Sequence, residues 1–250
     1  MLRVTIKAEE FYTFSDPAEI LHMDIFYPPN RPAGTLLPVV IFPNPFPLTA
    51  DPEIAPLGRR SYESFQAYGR MFAANGLAAV AYDTLHVNDL EAVVKHLQDN
   101  SARLGIDSSR LGFFSISSWA ALASSFAYQE NRSYLKFVVF YYGFILTPEN
   151  AGRKNADDLA VQYRFYGPEL PDVTRIRTDL PVLVVRCGKN DNESTDQFIQ
   201  DAEAQGAPLT VIRFDEGVHG FDWIGEGSGE RGIEIIKQTI DFVKTHAFDK

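Results

Sequence analysis

The sequence predicts an α/β fold in which helices cover both faces of a mostly parallel central sheet. Two observations support this. The first forty residues contain only strand-like stretches, whereas from Tyr62 onward segments with helical spacing of apolar residues alternate with short apolar runs. Strand–helix alternation of this kind is typical of parallel sheets with helices on both faces. A chain of 250 residues, 45% of them hydrophobic, can bury one large core, so we expect residues 1–250 to form a single domain.

The first third of the chain predicts an antiparallel meander followed by one strand–helix–strand unit. Alternating or continuous apolar residues favour strands at 2–7, 21–27 and 38–42. The apolar spacing predicts a helix over 62–74, which Asn75 and Gly76 end, and a strand over 77–82 follows.

The remaining elements continue the alternation. Asn88 or Asp89 caps a helix that runs through Leu97 and ends near Gly105. We expect further strands at 111–114, 135–146, 181–186 and 209–214, and further helices at 119–128, 195–204 and 232–245. The run 135–146 is too short to span a bilayer and is rich in β-branched and aromatic residues, which favours a central strand.

Composition excludes several classes of function. A formal net charge of -10 and a pI near 5.0 argue against a nucleic-acid partner, because phosphate binding needs a basic surface. Cys187 is the single cysteine, which excludes an internal disulfide and a multi-cysteine metal site. The N-terminus lacks a signal-like apolar segment, so we expect a cytoplasmic protein without a membrane partner.

Three strands are followed by residues with catalytic chemistry. In a parallel sheet, sites form at the carboxyl ends of the strands. Ser117 follows the strand at 111–114, Asp191 follows the strand at 181–186, and His219 follows the strand at 209–214. Each strand end therefore offers one candidate member of a serine–histidine–aspartate triad, in the chain order Ser, Asp, His.

The segment around Ser117 suits a sharp strand-to-helix turn that exposes a nucleophile. The usual pattern is Gly-x-Ser-x-Gly, and here it reads Ser115-Ile-Ser117-Ser118-Trp119. Ser115 is small enough for the first position, whereas Trp119 is very large for the last. The alternative is that these serines only cap a helix.

Beyond these residues, the chain resembles α/β-hydrolases of the dienelactone-hydrolase-like group. The similar segments are 106–112, which contains Arg110-Leu-Gly112, 181–191, and Gly217-Val-His219-Gly-Phe-Asp222. The resemblance implies an α/β-hydrolase fold with Ser117 as nucleophile, Asp191 as acid and His219 as base. The sequence departs from the family at Trp119 and at 43–47, where Pro-Asn-Pro-Phe-Pro replaces the usual His-Gly oxyanion loop.

An oxyanion hole normally uses the N–H of the residue after the nucleophile and one from the loop after the third strand. The first is Ser118. Because the prolines in 43–47 have no N–H, the second is Asn44 or Phe46, with the Asn44 side-chain amide as a further donor. The alternatives are a rigid surface bend at 43–47, an Asx turn at Asp191 and a hydrogen-bonded surface histidine at His219.

Residues 147–179 separate two predicted strands by more than an ordinary connection, and we expect a lid there. Its aromatic residues Tyr163, Phe165 and Tyr166 could cover an acyl pocket or form the segment's own core. Trp119, Tyr141 and Tyr142 could line the same pocket, or could be ordinary core aromatics.

These residues predict a serine hydrolase that cleaves an ester, a lactone or a related acyl bond of a small molecule and requires no metal or organic cofactor. A small peptidase or acyltransferase with the same triad is one alternative, because pocket shape and water access decide the acceptor. A catalytically silent binding protein is another, and Trp119 supports it. The sequence gives no information on oligomeric state.

Overall fold

The computed structural model describes residues 3–14, 16, 18–48, 56, 59–129, 132–148, 173–190, 193–222 and 229–248. The chain divides into two compact units, the first containing the described residues up to Leu111 and the second those from Gly112 onward. Across these ranges the structure has eight strands, mostly parallel, and six helices, which confirms the predicted α/β class.

In the first unit, the strands and helices are β1 (Thr5–Tyr12), β2 (Ile20–Tyr27), β3 (Leu37–Ile41), α1 (Glu63–Ala74), β4 (Ala78–Tyr82), α2 (Asp89–Asp99) and α3 (Ser101–Leu104). Strand β5 (Ile106–Ile116) continues from the first unit into the second. The second unit contains α4 (Trp119–Ala127), β6 (Leu135–Tyr141), β7 (Val182–Cys187), α5 (Glu193–Ala204), β8 (Leu209–Phe214) and α6 (Gly229–Phe248).

The strands of the first unit lie in the order β1-β2-β4-β3. β2 pairs antiparallel with both β1 and β4, whereas β3 and β4 are parallel. The predicted meander of the first three strands was therefore wrong, because β4 lies between β2 and β3. All five residues of β3 are buried, which suits a strand inside the sheet rather than the end of a hairpin series.

In the second unit β6, β7 and β8 are parallel neighbours, with Val138 opposite Val182 and Cys187 opposite Phe214. Their carboxyl ends therefore share one edge. Gly112 in β5 packs against the Phe137 ring so closely that an added Cβ would lie 2.1 Å from it, which explains a glycine in this buried strand. No helix within the described ranges is long and apolar enough to cross a membrane.

Candidate active site

The backbone at Ser117 has a conformation that residues other than glycine rarely adopt. Its φ is 48°, between the end of β5 and the start of α4. The Ser117 N–H donates to Tyr141 O at 3.0 Å, and the N–H groups of Ala120 and Phe144 donate to Ser117 O at 3.2 Å. Three hydrogen bonds thus hold a strained turn with a half-buried serine at its bend.

The neighbouring serines are differently placed. Ser115 is fully buried and its hydroxyl donates to Val139 O at 2.9 Å, so it is committed to the core. Ser118 is the N-cap residue of α4 but makes no side-chain capping bond. Within the described residues, neither the Ser118 N–H nor the Ser117 hydroxyl has a hydrogen-bond partner. Ser117 and Ser118 therefore both keep a hydroxyl without a partner among the described residues, and of the two Ser117 lies at the strained bend.

Trp119 is only 3% exposed, so the turn accommodates a large residue where the usual motif has glycine. The close approach between helix and strand end occurs one residue later, at Ala120. A Cβ added to Gly143 would lie 2.3 Å from the Ala120 Cβ and 3.4 Å from Ser117 O. Ala120 and Gly143 thus form a small-residue contact beside the turn.

The turns that follow β6, β7 and β8 are hydrogen-bonded to one another. Gly188 N–H donates to Phe214 O at 2.8 Å, and Lys189 N–H donates to Gly217 O at 3.0 Å. The Asn190 side-chain amide donates to Tyr142 O at 3.4 Å. Because Ser117 is bonded to Tyr141, these contacts connect all four strand ends of the unit.

Arg186 fixes the turn that leads to residue 191. Its guanidinium makes two hydrogen bonds of 2.7 Å to the Asp196 carboxylate and also donates to the carbonyl oxygens of Cys187 and Asn190. This pairing lowers the pKa of Asp196. Asp191 itself lies outside the described residues, but the turn immediately before it is rigidly bonded.

His219 follows β8 and is partly exposed to solvent. Its ring centroid lies 4.7 Å from that of Tyr142, with 56° between the ring planes. Partial burial lowers the pKa of His219 below its ordinary value of 6.5, so the neutral imidazole is favoured. Within the described ranges the imidazole makes no hydrogen bond. The structure therefore brings His219 beside Tyr142, next to the strand end that holds Ser117.

Two groups near His219 were not predicted to act as a pair. Tyr142 has a φ of 37°, and its hydroxyl donates to Asp222 Oδ1. Burial raises the pKa of Asp222 to about 7, and Asp222 Oδ2 is buried without a hydrogen-bond partner in the described structure. The available sequence signal was the position of Asp222, three residues after His219 in an otherwise apolar turn.

The proposed oxyanion loop belongs to the first unit, and its donors already have acceptors there. The Asn44 N–H donates to the Tyr82 hydroxyl at 3.0 Å, and its side-chain amide donates to Tyr82 O at 2.8 Å. The Phe46 N–H donates to Asn44 Oδ1 at 3.1 Å. Asn44 is fully buried, so this loop is a bonded structural element rather than a surface bend.

The remaining predicted pocket residues divide into two groups. Trp119, Tyr141 and Tyr142 are each at most 3% exposed, and the Tyr141 hydroxyl is hydrogen-bonded to Thr239 of α6. Tyr141 also packs against Phe114 and Phe221, so in this structure it is a core residue. Tyr163 and Phe165, with Tyr166 and most of the expected lid at 147–179, lie outside the described residues.

Comparison with solved structures shows the α/β-hydrolase fold. The thermostable carboxylesterase EstE1 from a metagenomic library is 15% identical, covers 100% of this chain and 92% of its own, and gives a TM-score of 0.72. The Pyrobaculum calidifontis esterase is 18% identical, and the match covers 98% of this chain and 87% of the esterase with a TM-score of 0.72. Carboxyl esterase 2 of the fungus Tuber melanosporum is 18% identical, and the match covers 98% of this chain and 88% of that esterase with a TM-score of 0.71. No protein-family model and no curated protein matches the sequence.

Proposed function

We propose that the protein is a serine hydrolase that cleaves a carboxylic ester, a lactone or a related acyl bond through an acyl-serine intermediate. The observation that carries the proposal is the strained turn at Ser117, whose φ of 48° occurs between a buried strand and a helix. This is the context of a nucleophile elbow. The similar structures described as esterases and carboxylesterases support the same chemistry.

In the acylation step, Ser117 Oγ attacks the acyl carbonyl carbon while His219 removes the hydroxyl proton. A lowered pKa suits this role, because His219 is then neutral at neutral pH and can accept a proton. Ser118 directly follows the proposed nucleophile, so its N–H is the expected donor to the developing oxyanion. This N–H has no acceptor among the described residues. The second donor stays a prediction, and Asn44 or Phe46 would need to release a present hydrogen bond to supply a backbone N–H.

Collapse of the tetrahedral intermediate expels the alcohol, which takes the proton from protonated His219. Water then attacks the acyl-serine, His219 accepts its proton, and the acid leaves with Ser117 regenerated. In this proposal Asp191 accepts the second ring N–H of His219 and fixes its tautomer. The bonded turn at Gly188–Asn190 supports that role, since the residues immediately before Asp191 are hydrogen-bonded to the segments that follow β6 and β8.

Within this class, we place the chain with dienelactone-hydrolase-like enzymes on the strength of the segments around Arg110, Pro181 and His219. The proposed substrate is a small acyl compound, and the mechanism needs no metal or organic cofactor. The single, buried Cys187 is compatible with the cytoplasmic location that we propose.

A serine-directed fluorophosphonate probe tests the proposal. We expect the wild-type protein to be labelled and the Ser117→Ala variant to be unlabelled, with Ser115→Ala as the control that retains labelling. A panel of acetyl and butyryl esters, a lactone, an anilide and a thioester then identifies the preferred acyl bond. A folded wild-type protein that neither reacts with the probe nor hydrolyses any member of the panel would contradict the proposal.

A further inference from the structure

Tyr142 lies between two polar residues of the His219 turn. Its hydroxyl donates a hydrogen bond to Asp222 Oδ1, while its ring contacts the His219 imidazole at 4.7 Å between centroids. One aromatic side chain therefore connects a largely buried carboxyl group to the proposed catalytic base.

The backbone of Tyr142 is anchored independently of these contacts. Its N–H donates to Val185 O at 3.0 Å, and its carbonyl oxygen accepts the Asn190 side-chain amide at 3.4 Å. Its φ of 37° is unfavourable for a tyrosine and would not persist without such restraints. The ring of this anchored residue contacts His219 and Phe221 of the turn after β8.

The turn that carries His219 is anchored on both sides. On its N-terminal side, Gly217 N–H donates to Phe214 O at 2.8 Å and Gly217 O accepts from Lys189 N–H at 3.0 Å. Phe221 is fully buried and packs against Tyr141, Tyr142 and Phe214. Asp222, the next residue, receives the Tyr142 hydrogen bond. His219 itself is exposed, and within the described residues its recorded side-chain contact is the ring of Tyr142.

We propose that Tyr142 and Asp222 form a positioning pair for His219, in which the hydrogen bond holds the tyrosine ring at the place where it orients the imidazole. This inference rests on the proposed role of His219 as the catalytic base. The orientation of the imidazole matters most in the transition state, while His219 takes the Ser117 proton, so the pair acts mainly on kcat rather than on KM.

Four variants test the pair through ester hydrolysis. Tyr142→Phe removes only the hydroxyl, and we expect kcat to fall roughly tenfold with KM changed less than about twofold, because a small misplacement of a catalytic group is costly. Asp222→Ala should have the same effect, whereas Asp222→Asn keeps an acceptor oxygen and should retain kcat within about threefold. The double variant Tyr142→Phe/Asp222→Ala should be no slower than either single variant, because both changes remove one interaction.

Thr239→Val is the matched control. It removes another buried hydroxyl bond, between Thr239 and Tyr141, from the same unit without altering a residue that contacts His219. We expect a comparable loss of stability in urea and an unchanged kcat. If Tyr142→Phe keeps kcat within twofold of the wild type, or if the two losses add in the double variant, the positioning pair is wrong. Should Asp222→Ala fail to fold, Tyr142→Phe and Asp222→Asn still decide the matter.

An NMR titration of the His219 ring separates this inference from the proposed function. Its resonance is identified among the five histidines by its absence in His219→Ala. We expect Tyr142→Phe to shift the ring resonance and the pKa of His219, and Thr239→Val to leave both unchanged. A protein that hydrolyses no ester but shows these shifts would contradict the function and support the pair, whereas an active protein without them would contradict the pair.

Discussion

The Ser117 turn after β5 and the Asn44 loop after β3 both follow buried strands, but they use their backbone groups in opposite ways. The Ser117 turn has a positive φ and, among the described residues, the Ser118 N–H has no acceptor. In the Asn44 loop the N–H groups of Asn44 and Phe46 and the Asn44 side chain are all engaged in hydrogen bonds.

This difference separates a strained turn with an unused donor from a loop whose buried donors are engaged in hydrogen bonds. A strained backbone and an unused donor both cost free energy, so they persist only where neighbouring hydrogen bonds enforce them. Around Ser117 those enforcing bonds come from Tyr141, Ala120 and Phe144. In the Asn44 loop, the hydrogen bonds to Tyr82 of β4 and the bond from Phe46 N–H to Asn44 Oδ1 satisfy buried donors.

The strongest test of the catalytic role that we propose for the Ser117 turn is His219→Ala. Removing a general base typically slows an enzyme by about 10²–10⁴-fold, and we expect a loss of this size in kcat with little change in stability, because the side chain is solvent-exposed and makes no hydrogen bond among the described residues. Ester hydrolysis and urea unfolding measure the two effects. His22→Ala removes another exposed histidine and should leave both unchanged. Equal activity in the two variants would remove His219 from the mechanism.

Gly143→Ala tests whether the strain at Ser117 depends on the small-residue contact beside it. The new Cβ would lie 2.3 Å from the Ala120 Cβ, so the first turn of α4 would have to move away from the strand end. We expect a loss of about 2–4 kcal/mol in the free energy of unfolding and at least a tenfold lower kcat. The control is Gly206→Ala, where φ is 68° and the added Cβ meets nothing within 4 Å, so that only backbone strain of about 1 kcal/mol remains. Similar results for both variants would show that the contact at Gly143 is unimportant.

Asn44→Ala tests the other side of the comparison. It would leave the Tyr82 carbonyl and the Phe46 N–H without their present partners in a buried loop, which should cost about 2–4 kcal/mol. We expect urea unfolding to show this loss while the folded variant retains kcat within about tenfold. Asn75→Ala removes a partly exposed side-chain bond to Met71 O and should cost less than about 1 kcal/mol. A hundredfold lower kcat at unchanged stability would instead identify Asn44 as an oxyanion donor.

The order and type of most described elements could be predicted because they depend on local periodicity. The helix expected to end near Gly105 is instead two helices, α2 and α3, and the strand expected at 111–114 begins at Ile106. The strand expected at 135–146 shows the limit of that method, since β6 ends at Tyr141. The apolar residues beyond it leave the strand because side-chain hydroxyls satisfy their backbone: Ile145 N–H donates to Ser194 Oγ and Leu146 N–H to Ser124 Oγ. Such partners are distant in sequence, and so no local pattern reveals them.

The site divides in the same way. Chain order and strand ends predicted Ser117 and His219 as site residues. The structure shows a strained turn at Ser117 and an exposed imidazole at His219. The Tyr142–Asp222 bond joins residues 80 positions apart, and an aromatic residue after a buried strand looks like an ordinary core residue in the sequence. The close contact between the small residues Ala120 and Gly143 could not be predicted either, because the motif centred on Ser117 includes Trp119 but not Ala120.

The smallest expected effect concerns the pH dependence of stability through Asp222. Its folded-state pKa is about 7 because of burial, whereas an unfolded aspartate titrates near 3.8. Below about pH 4 the group is protonated in both states and has no effect on folding. As pH rises from 4 to 7 the unfolded state ionises first, so the native state loses stability, and above 7 the penalty is constant. Since one pKa unit corresponds to about 1.4 kcal/mol and Asp222 is not completely buried, we expect the total loss of stability to be about 1–3 kcal/mol.

Asp222→Asn has no charge to bury, so the difference in unfolding free energy between variant and wild type should grow in favour of the variant between pH 4.5 and 8. A difference that does not vary with pH would show that Asp222 keeps an ordinary pKa in the folded protein. It would also show that burial does not destabilise the charged form of Asp222.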